Sequence, residues 1–372
     1  MKWSLRLVRI AGIDVFVHWT FVLLVFWIFT SHISQGESTA MAIEGVLFVL
    51  SIFGCVILHE LGHALTARRY GITTRDITLL PIGGVARLER IPEEPMQEFW
   101  VAIAGPAVNV VIAALLIAVL IAKSGLEALT SVPLVGGDFV AKLLAVNVIL
   151  VVFNLLPAFP MDGGRVLRAL LARKHDYVSA TQTAAAIGQM MAIGFGVLGF
   201  FTNWFLLFIA LFVYIGAQQE AHLVQMKSVM NGVPVRAAML TKFQTLGEHD
   251  DLNTAASHLL AGEQQDFPVL TNGHLAGILT RDDLISALAG GRLHDHVDSV
   301  MRRDCQTVDE HDMLETTFRL MQEGSCPVLP VLRGDYVVGI VNLENIGEWV
   351  MIQSALQQAV TRGNRPNVFT RA

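Results

Sequence analysis

Charged residues are scarce in this chain of 372 residues. Asp, Glu, Lys and Arg make up only 16% of the sequence, whereas hydrophobic residues make up 53%. An average soluble domain is about 25% charged, so the deficit excludes an ordinary soluble protein throughout. Positive charge is in deficit as well, because the net charge is −6. This argues against nucleic acid as the main partner and predicts a portion that is embedded in lipid.

Cysteine is also scarce, with three residues in the whole chain: Cys55, Cys305 and Cys326. Three cysteines exclude a fold that depends on a disulfide framework. Cys55 lies in an apolar run, and the other two lie in the polar C-terminal third. This distribution fits a reducing cytoplasm for that third.

Long apolar runs are confined to the chain before about Glu220. A helix needs roughly 20 mainly apolar residues to cross the hydrocarbon core, and six stretches come near that length. We predict a polytopic α-helical membrane domain over residues 1–221, whose first span is retained and not cleaved. A linker over 222–234 follows it, and the chain ends in a tail over 351–372. The six predicted spans are residues 15–30, 42–66, 99–122, 139–156, 180–200 and 204–221.

Lys and Arg alternate between the two sides of the predicted spans. One side collects almost all of them in its short loops, and the other has only Lys123. Because positive loops face the cytoplasm, both termini are predicted to be cytoplasmic in a multi-pass protein of the plasma membrane. The basic side holds Lys2, Arg6, Arg9, Arg68, Arg69, Arg75, Arg87, Arg90, Arg165, Arg168, Arg173 and Lys174.

The segment 70–95 is too polar to span a membrane. Its run 76–80 has β character, and Pro81, Gly83 and Gly84 punctuate it. Two interpretations stay open: a short hairpin that dips toward the membrane from the cytoplasmic side, or an ordinary loop.

The strongest local signal is His59-Glu60-Leu61-Gly62-His63 within an apolar helix. Residues four apart lie nearly above one another on a helix, so the two histidines can bind one metal ion. Glu60 is rotated about 100° from His59 and can take a proton from metal-bound water, then pass it to a leaving amine. A chance match on a soluble helix is the alternative, but these polar groups are costly in a membrane helix unless they serve a metal or each other.

Catalytic zinc usually has three protein ligands, and Asp162 is the candidate for the third. It follows the fourth predicted span, where Pro157 and Pro160 should break the helix. A broken helix at membrane depth is tolerated where it lines a wet cavity. On spacing alone, a helix cap or a partner for Arg165 is an equally good interpretation of Asp162.

These motifs together resemble the site-2 proteases, peptidase family M50. The resemblance rests on the His-Glu-Leu-Gly-His helix, on Asn154-x-x-Pro-x-x-Pro-x-Asp162-Gly about a hundred residues later, and on the intervening segment 104–109, Ala-Gly-Pro-Ala-Val-Asn. It covers residues 15–221. It implies one zinc ion held by His59, His63 and Asp162, with Glu60 as general base.

The same resemblance implies further site residues and a substrate class. Asn154 is expected near the scissile carbonyl, and Gly83 and Gly84 are expected to pair with an extended substrate. His59 lies nine residues before Arg68, or about 13 Å along a helix, so the site is expected inside the lipid bilayer near its cytoplasmic face. The expected substrate is a transmembrane segment of another membrane protein, cut in regulated intramembrane proteolysis.

Residues after 235 contain an internal repeat with an offset of 62 residues. Each unit reads as strand, helix, strand, turn, strand, helix, and the units resemble a tandem CBS domain over 235–350, with repeats 235–290 and 297–350. The fold class is thus a membrane helical domain of about six spans with a small cytoplasmic α/β domain. The matched segments are Met239 with Met301, Pro268-Val269 with Pro330-Val331, and Gly277-Ile278 with Gly339-Ile340.

A CBS pair implies a regulatory ligand, an adenine nucleotide such as ATP or AMP, bound through Thr-x-x-Asp after the last strand. The first repeat matches with Thr280 and Asp283, whereas the second has Asn342 and Asn345 and lacks the carboxylate. A pair that only forms a homodimer is the open alternative.

Two other functions compete with the protease. A transporter would need an ion pathway, and the few intramembrane charges match a protease site instead. An inactive binding protein would not need Glu60, both histidines and Asp162 intact.

Overall fold

A computed structural model describes residues 4–81, 83–88, 94–125, 138–324 and 326–361. The chain divides into two compact units, Met1–Val224 and Gln225–Ala372. The first unit holds most of the apolar helices. Its elements in chain order are β1 (Ser4–Ile10), β2 (Ile13–His18), α1 (Trp19–Ser34), α2 (Thr39–Arg69), β3 (Thr74–Leu80), β4 (Gly83–Leu88), α3 (Pro95–Ser124), α4 (Phe139–Asn154), α5 (Asp162–Leu171), α6 (Tyr177–Phe201) and α7 (Phe205–Met230).

Four helices among the described residues, α2, α3, α6 and α7, are long and apolar enough to cross a membrane. The other two predicted spans correspond to α1 and α4, which are apolar but have only 16 residues each. The predicted first span starts too early, because residues 15–18 belong to β2 and α1 begins at Trp19. His18 ends that strand and caps the helix by accepting a hydrogen bond from the Thr20 amide.

A four-stranded sheet accompanies the helices, in the order β1-β2-β3-β4. Strands β2 and β3 are parallel, and the other two pairs are antiparallel. The segment 70–95 therefore contains a hairpin, and the interpretation as an ordinary loop is wrong. Ile77 of β3 packs with Ile13, Leu61 and Ala64, so the sheet lies directly against α2.

The second unit contains two similar halves. The first half holds β5 (Leu246–Gly247), α8 (Leu252–Ala261), β6 (Phe267–Thr271), β7 (His274–Leu279) and α9 (Arg281–Ala289); the second holds β8 (Val308–Asp309), α10 (Leu314–Glu323), β9 (Val328–Arg333), β10 (Tyr336–Asn342) and α11 (Leu343–Thr361). This is the predicted order of strand, helix, strand, strand, helix. The sheets run β5-β6-β7 and β10-β9-β8.

The two halves exchange short connections. Leu240 pairs with Ile340, and Arg302 pairs with Ile278, in two isolated antiparallel bridges. Each bridge joins the segment that enters one half to the last strand of the other half. The offset of 62 residues in the sequence is thus a structural pseudo-symmetry.

The boundaries near 222–234 and after 350 can now be described. Helix α7 continues through the expected linker to Met230, whose side chain is fully buried in the core of the second unit. Helix α11 continues to Thr361. The rest of the expected tail, residues 362–372, lies outside the described residues.

One expectation from cysteine content is wrong. Cys305 and Cys326 form a disulfide, with their Cα atoms 5.7 Å apart. The two residues are 21 positions apart in the sequence and meet because the segment after the Arg302 bridge runs beside the residues before β9. Cys55 is a free, buried cysteine.

Candidate metal centre

Three polar side chains converge in the interior of the first unit. His59 and His63 lie one turn apart on α2, and Asp162 is the first residue of α5. Asp162 Oδ2 lies 3.2 Å from His59 Nε2 and 3.1 Å from His63 Nε2, and the two Nε2 atoms are 3.0 Å apart. At most 9% of each residue is exposed. Two imidazole nitrogens and one carboxylate oxygen within 4.8 Å of one another match the ligand types that zinc takes.

Helix α3 comes unusually close to these histidines because of a glycine. A Cβ atom at Gly105 would lie 2.2 Å from His63 Nε2 and 2.7 Å from His59 Nε2. Gly62 makes a matching close approach from α2, where a Cβ would lie 2.8 Å from the Ala104 carbonyl oxygen. Both glycines therefore let α2 and α3 pack with the imidazoles between them.

The other ring nitrogen of each histidine is held by α3. His59 Nδ1 lies 3.2 Å from Asn109 Oδ1, and His63 Nδ1 lies 2.7 Å from the Val101 carbonyl oxygen. Both partners accept, so each Nδ1 carries the proton and each Nε2 is free to bind a metal. Such contacts fix ring orientation and strengthen the ligands. Asn109 was expected to bridge helices, and the structure adds that it orients His59.

The segment between α4 and α5 is a tight turn that delivers Asp162. Helix α4 ends at Asn154, and Ala158 and Phe159 are buried. A Cβ at Gly163 would lie 2.2 Å from the Leu156 carbonyl oxygen, and one at Gly164 would lie 2.6 Å from the Phe159 nitrogen. These two glycines let α5 begin against the turn, which places Asp162 over α2.

A buried ion cluster, missed in the sequence, anchors α5. Arg168 is 0% exposed and donates to Glu98 of α3, with 2.8 Å from Nε to Oε1, and to Glu220 of α7, with 2.6 Å from Nη1 to Oε1. Its guanidinium carbon also lies 5.0 Å from the centres of the Phe159 and Tyr177 rings. The cluster ties the helix that carries Asp162 to three other helices. The available signal was the rarity of ionisable residues in apolar helices.

Glu60 lies between the metal-binding side chains and the sheet. A Cβ at Gly84 of β4 would be 3.0 Å from Glu60 Cγ and 3.6 Å from its Oε1. The sheet order leaves β4 with a single neighbour, β3, among the described strands. The structure therefore brings Gly84 and Glu60 together at a strand edge.

Two other residues that were considered for the site lie elsewhere. Asn154 is the partly exposed last residue of α4, and within the described part of the chain no hydrogen bond joins it to His59, His63 or Asp162. Cys55 contacts Asn147, whose Nδ2 lies 3.4 Å from the sulfur. The possibility that Cys55 approaches the metal finds no support in this contact.

The predicted nucleotide residues in the second unit are already paired with the chain. Thr280 Oγ1 donates to Asp283 Oδ2 over 2.6 Å and caps α9 by accepting from the Asp283 amide. Arg302 donates to both Asp283 oxygens, over 2.5 and 3.0 Å. Hydrogen bonding to this guanidinium holds the pKa of the Asp283 carboxyl below its ordinary value.

The pseudo-equivalent position in the other half is an open cavity of about 1110 Å³. Asn342 and Asn345 line it at the positions that correspond to Thr280 and Asp283. Leu240 stands where the other half has Arg302, so no guanidinium fills the space. Burial raises the pKa of the Asp266 carboxyl at its wall. Other lining residues include Lys242, Phe243, Gln244, His258 and Arg281.

Comparison with known families gives matches for both units. A family model for peptidase family M50 matches residues 47–135 and 130–198. A model for the CBS domain matches residues 235–290 and 297–351.

Individual relatives cover most of the chain. A zinc metalloprotease from Methanocaldococcus jannaschii is 35% identical over 75% of this chain and 78% of its own length. The Rip3 protein of Mycobacterium tuberculosis is 32% identical over 75% of each chain. Among solved structures, a site-2 protease from Methanocaldococcus jannaschii covers 59% of this chain and 95% of its own, with 37% identity and a TM-score of 0.42.

Proposed function

The chain belongs to peptidase family M50, the site-2 protease family of zinc metalloproteases, and from this premise we propose that His59, His63, Asp162 and Glu60 form its catalytic centre. The substrate class is the transmembrane segment of another membrane protein. The observation that carries the proposal is the meeting of two Nε2 atoms and one Oδ2 atom beside Glu60 in a buried interior.

The donor set fits one zinc ion, with His59, His63 and Asp162 as its protein ligands. Zinc held there supplies Lewis acidity, which polarises a peptide carbonyl and makes water more acidic. Asn109 and the Val101 carbonyl keep both imidazoles in the tautomer that presents Nε2. Arg168 positions Asp162 through α5, because its ion pairs fix that helix against α3 and α7.

Glu60 is the general base of the proposed mechanism. Its carboxylate takes a proton from the attacking water and delivers it to the nitrogen of the leaving amine. The histidines flank it on the same helix, and Gly84 approaches it from the sheet. A carboxylate on α2 is thus close to both the metal ligands and the strand edge.

The edge of β4 is the proposed site for the unwound substrate. An extended peptide that adds to a free strand edge makes main-chain hydrogen bonds along it. A peptide paired with Gly83 and Gly84 would pass its carbonyl groups beside Glu60. The absence of side chains at these two positions leaves that approach unobstructed. Asn154 keeps its proposed role near the scissile carbonyl.

The membrane arrangement follows from the distribution of positive charge. We propose a multi-pass protein of the plasma membrane, with both termini and the CBS pair in the cytoplasm. The metal centre then lies within the lipid bilayer near the cytoplasmic face, and water reaches it from that side. Cleavage there releases a cytoplasmic fragment or clears a membrane-bound remnant.

The CBS pair is proposed as the regulatory part. An adenine nucleotide such as ATP or AMP fits the cavity lined by Asn342 and Asn345, whose volume of about 1110 Å³ suits a ligand of that size. Binding at Thr280 and Asp283 would require displacement of Arg302 from the carboxylate. A homodimer formed through the CBS pair is the second regulatory element of the proposal.

The decisive experiment compares Glu60→Gln with the matched variant Glu44→Gln, an exposed carboxylate on the same helix. Purified proteins in liposomes are offered a panel of single-span proteins, and products are identified by mass spectrometry. We expect Glu60→Gln to retain zinc and to cleave roughly 10²- to 10⁴-fold more slowly, with Glu44→Gln unaffected. Equal cleavage by Glu60→Gln would exclude Glu60 as the base. Absence of cleavage by the wild type, with zinc bound, would favour an inactive binding protein.

A further inference from the structure

The disulfide between Cys305 and Cys326 joins two segments of the second CBS repeat. Cys305 lies three residues after Arg302, in the segment that leads to β8, and Cys326 lies two residues before β9. Cys326 is buried, with 5% exposed, and Cys305 is half-buried. Cys305 therefore meets solvent more readily than its partner.

The first CBS repeat joins the same two segments without a covalent bond. Gln264 stands 62 residues before Cys326, and its side chain binds the backbone of Gln244, the residue after Phe243. The Gln244 amide donates to Gln264 Oε1 over 2.7 Å, and Gln264 Nε2 donates to the Gln244 carbonyl oxygen over 2.9 Å. Phe243 is the counterpart of Cys305. A noncovalent link is thus sufficient for this fold, and the covalent one is an addition.

The covalent link holds the segment that closes the Thr280 and Asp283 position. Arg302 exchanges two backbone hydrogen bonds with Ile278, of 2.8 and 2.9 Å, and its guanidinium grips Asp283. Since Cys305 is three residues further along, the disulfide limits how far Arg302 can move away. The half without a disulfide is the half with Leu240 and an open cavity.

Disulfides inside a reducing cytoplasm are usually transient and redox-sensing. We propose that Cys305 and Cys326 are a reversible thiol–disulfide site, oxidised by a low-molecular-weight disulfide, and that its oxidation locks Arg302 onto Asp283. The proposal rests on the cytoplasmic location given above and is independent of the protease activity. Reduction loosens the segment 302–307 and frees the Asp283 carboxylate for a ligand.

The oxidation proceeds in two exchange steps that balance. The thiolate of Cys305, the more exposed residue, attacks the small disulfide, forms a mixed disulfide and expels one small thiolate. The thiolate of Cys326 then attacks the Cys305 sulfur and expels the second. The protein loses two protons and two electrons, and the small disulfide becomes two thiols. The reverse steps need two equivalents of the small thiol.

The test uses the full chain in detergent with Cys55→Ser, which leaves only the pair. The protein is equilibrated in buffers of reduced and oxidised glutathione, quenched in acid, and its thiols are counted by maleimide labelling. We expect a transition from two thiols to none. Hydrogen exchange is then measured in both states.

Reduction should speed exchange of the Arg302 and Ile278 amides by roughly tenfold or more, with a ceiling near 300-fold set by the entropy of closing a loop of 21 residues. Exchange at 240–245, the corresponding segment of the first repeat, should not change. Cys305→Ser should exchange like the reduced protein in every buffer. Gln264→Ala should loosen 240–245 in both redox states.

Several outcomes would overturn the proposal. One is a pair that stays as thiols at every glutathione ratio. Another is a disulfide that is reduced only when the repeat unfolds, which would make it a permanent structural bond. Identical exchange in the two states would show that the bond does not hold Arg302. A cation bound by the reduced pair with Asp304, whose ligand atoms lie within 4.8 Å, that blocks oxidation would replace redox chemistry by metal binding.

Discussion

The substitution Gly105→Ala adds one methyl group at the point where α3 touches both histidines. The new Cβ would lie 2.2 Å from His63 Nε2 and 2.7 Å from His59 Nε2, whereas comfortable contacts need about 3.5 Å. The imidazoles or α3 must therefore shift by about 1 Å. Ligand distances in zinc sites vary by only about 0.2 Å, so a shift of this size disrupts the site.

We expect Gly105→Ala to lower zinc affinity by about 10- to 100-fold, the loss typical when ligand-orienting contacts are removed. A displacement of 1 Å can cost about 10²-fold in rate, so cleavage should fall at least as far. The measurement is zinc retained after equilibration with a competing chelator, with circular dichroism to confirm intact helices.

The matched control is Gly54→Ala on α2, where a Cβ meets no heavy atom within 4 Å. This change should leave zinc binding unaltered and stabilise the helix by up to about 0.5–1 kcal/mol. A Gly105→Ala protein that holds zinc as tightly as the Gly54→Ala protein would refute the close approach of α3 to the histidines.

Two further predictions concern residues that hold others in place. Asn109→Ala should lower zinc affinity about tenfold, because His59 Nδ1 loses its acceptor, while Asn147→Ala, an equally buried change beside Cys55, should not; equal losses in a chelator competition would remove the orienting role. The depressed pKa of Asp283 means that its ion pair with Arg302 stabilises the fold above the unfolded pKa, near 3.9, and that this contribution disappears as the pH falls through the lower folded value. Thermal unfolding should therefore show wild type above Asp283→Asn at neutral pH and converging with it in strong acid, and a difference that does not change with pH would contradict the ion pair.

The metal-binding residues could be predicted because their spacing is local or forms a motif. His59 and His63 lie one helical turn apart, and the prolines before Asp162 mark a broken helix. The resemblance to a family then joined two segments about a hundred residues apart. No spacing rule could supply Arg168 with Glu98 and Glu220, because 70 and 52 positions separate these pairs. Buried ion pairs of this kind depend on the tertiary arrangement of helices.

The N-terminal strands were missed because their composition indicated something else. Arg6 and Arg9 in β1 looked like the charged start of a first span, and β2 was merged with the apolar helix that follows. The strand β2 alternates buried and half-buried residues, but six residues are too few to separate it from a span by periodicity. The parallel pairing of β2 with β3 joins segments some 60 positions apart.

The repeat was readable from its offset, but the difference between its halves was not. Asn342 and Asn345 made the second position look weaker than Thr280 and Asp283. The structure reverses the expected accessibility, because the residue opposite each position decides it: Arg302 occupies one cleft, and Leu240 leaves the other open. Side chains that enter from the other repeat have no signal in the local motif.

Zinc content of the freshly purified wild type, beside His59→Ala and Asp162→Ala, tests the central claim most directly and needs no known substrate. The account predicts about one zinc ion per chain at the proposed centre, lost or weakened in both variants. Stoichiometric zinc that is unaffected by Asp162→Ala would contradict the three-ligand site. A wild type without zinc, even after metal is resupplied, would contradict the metalloprotease itself.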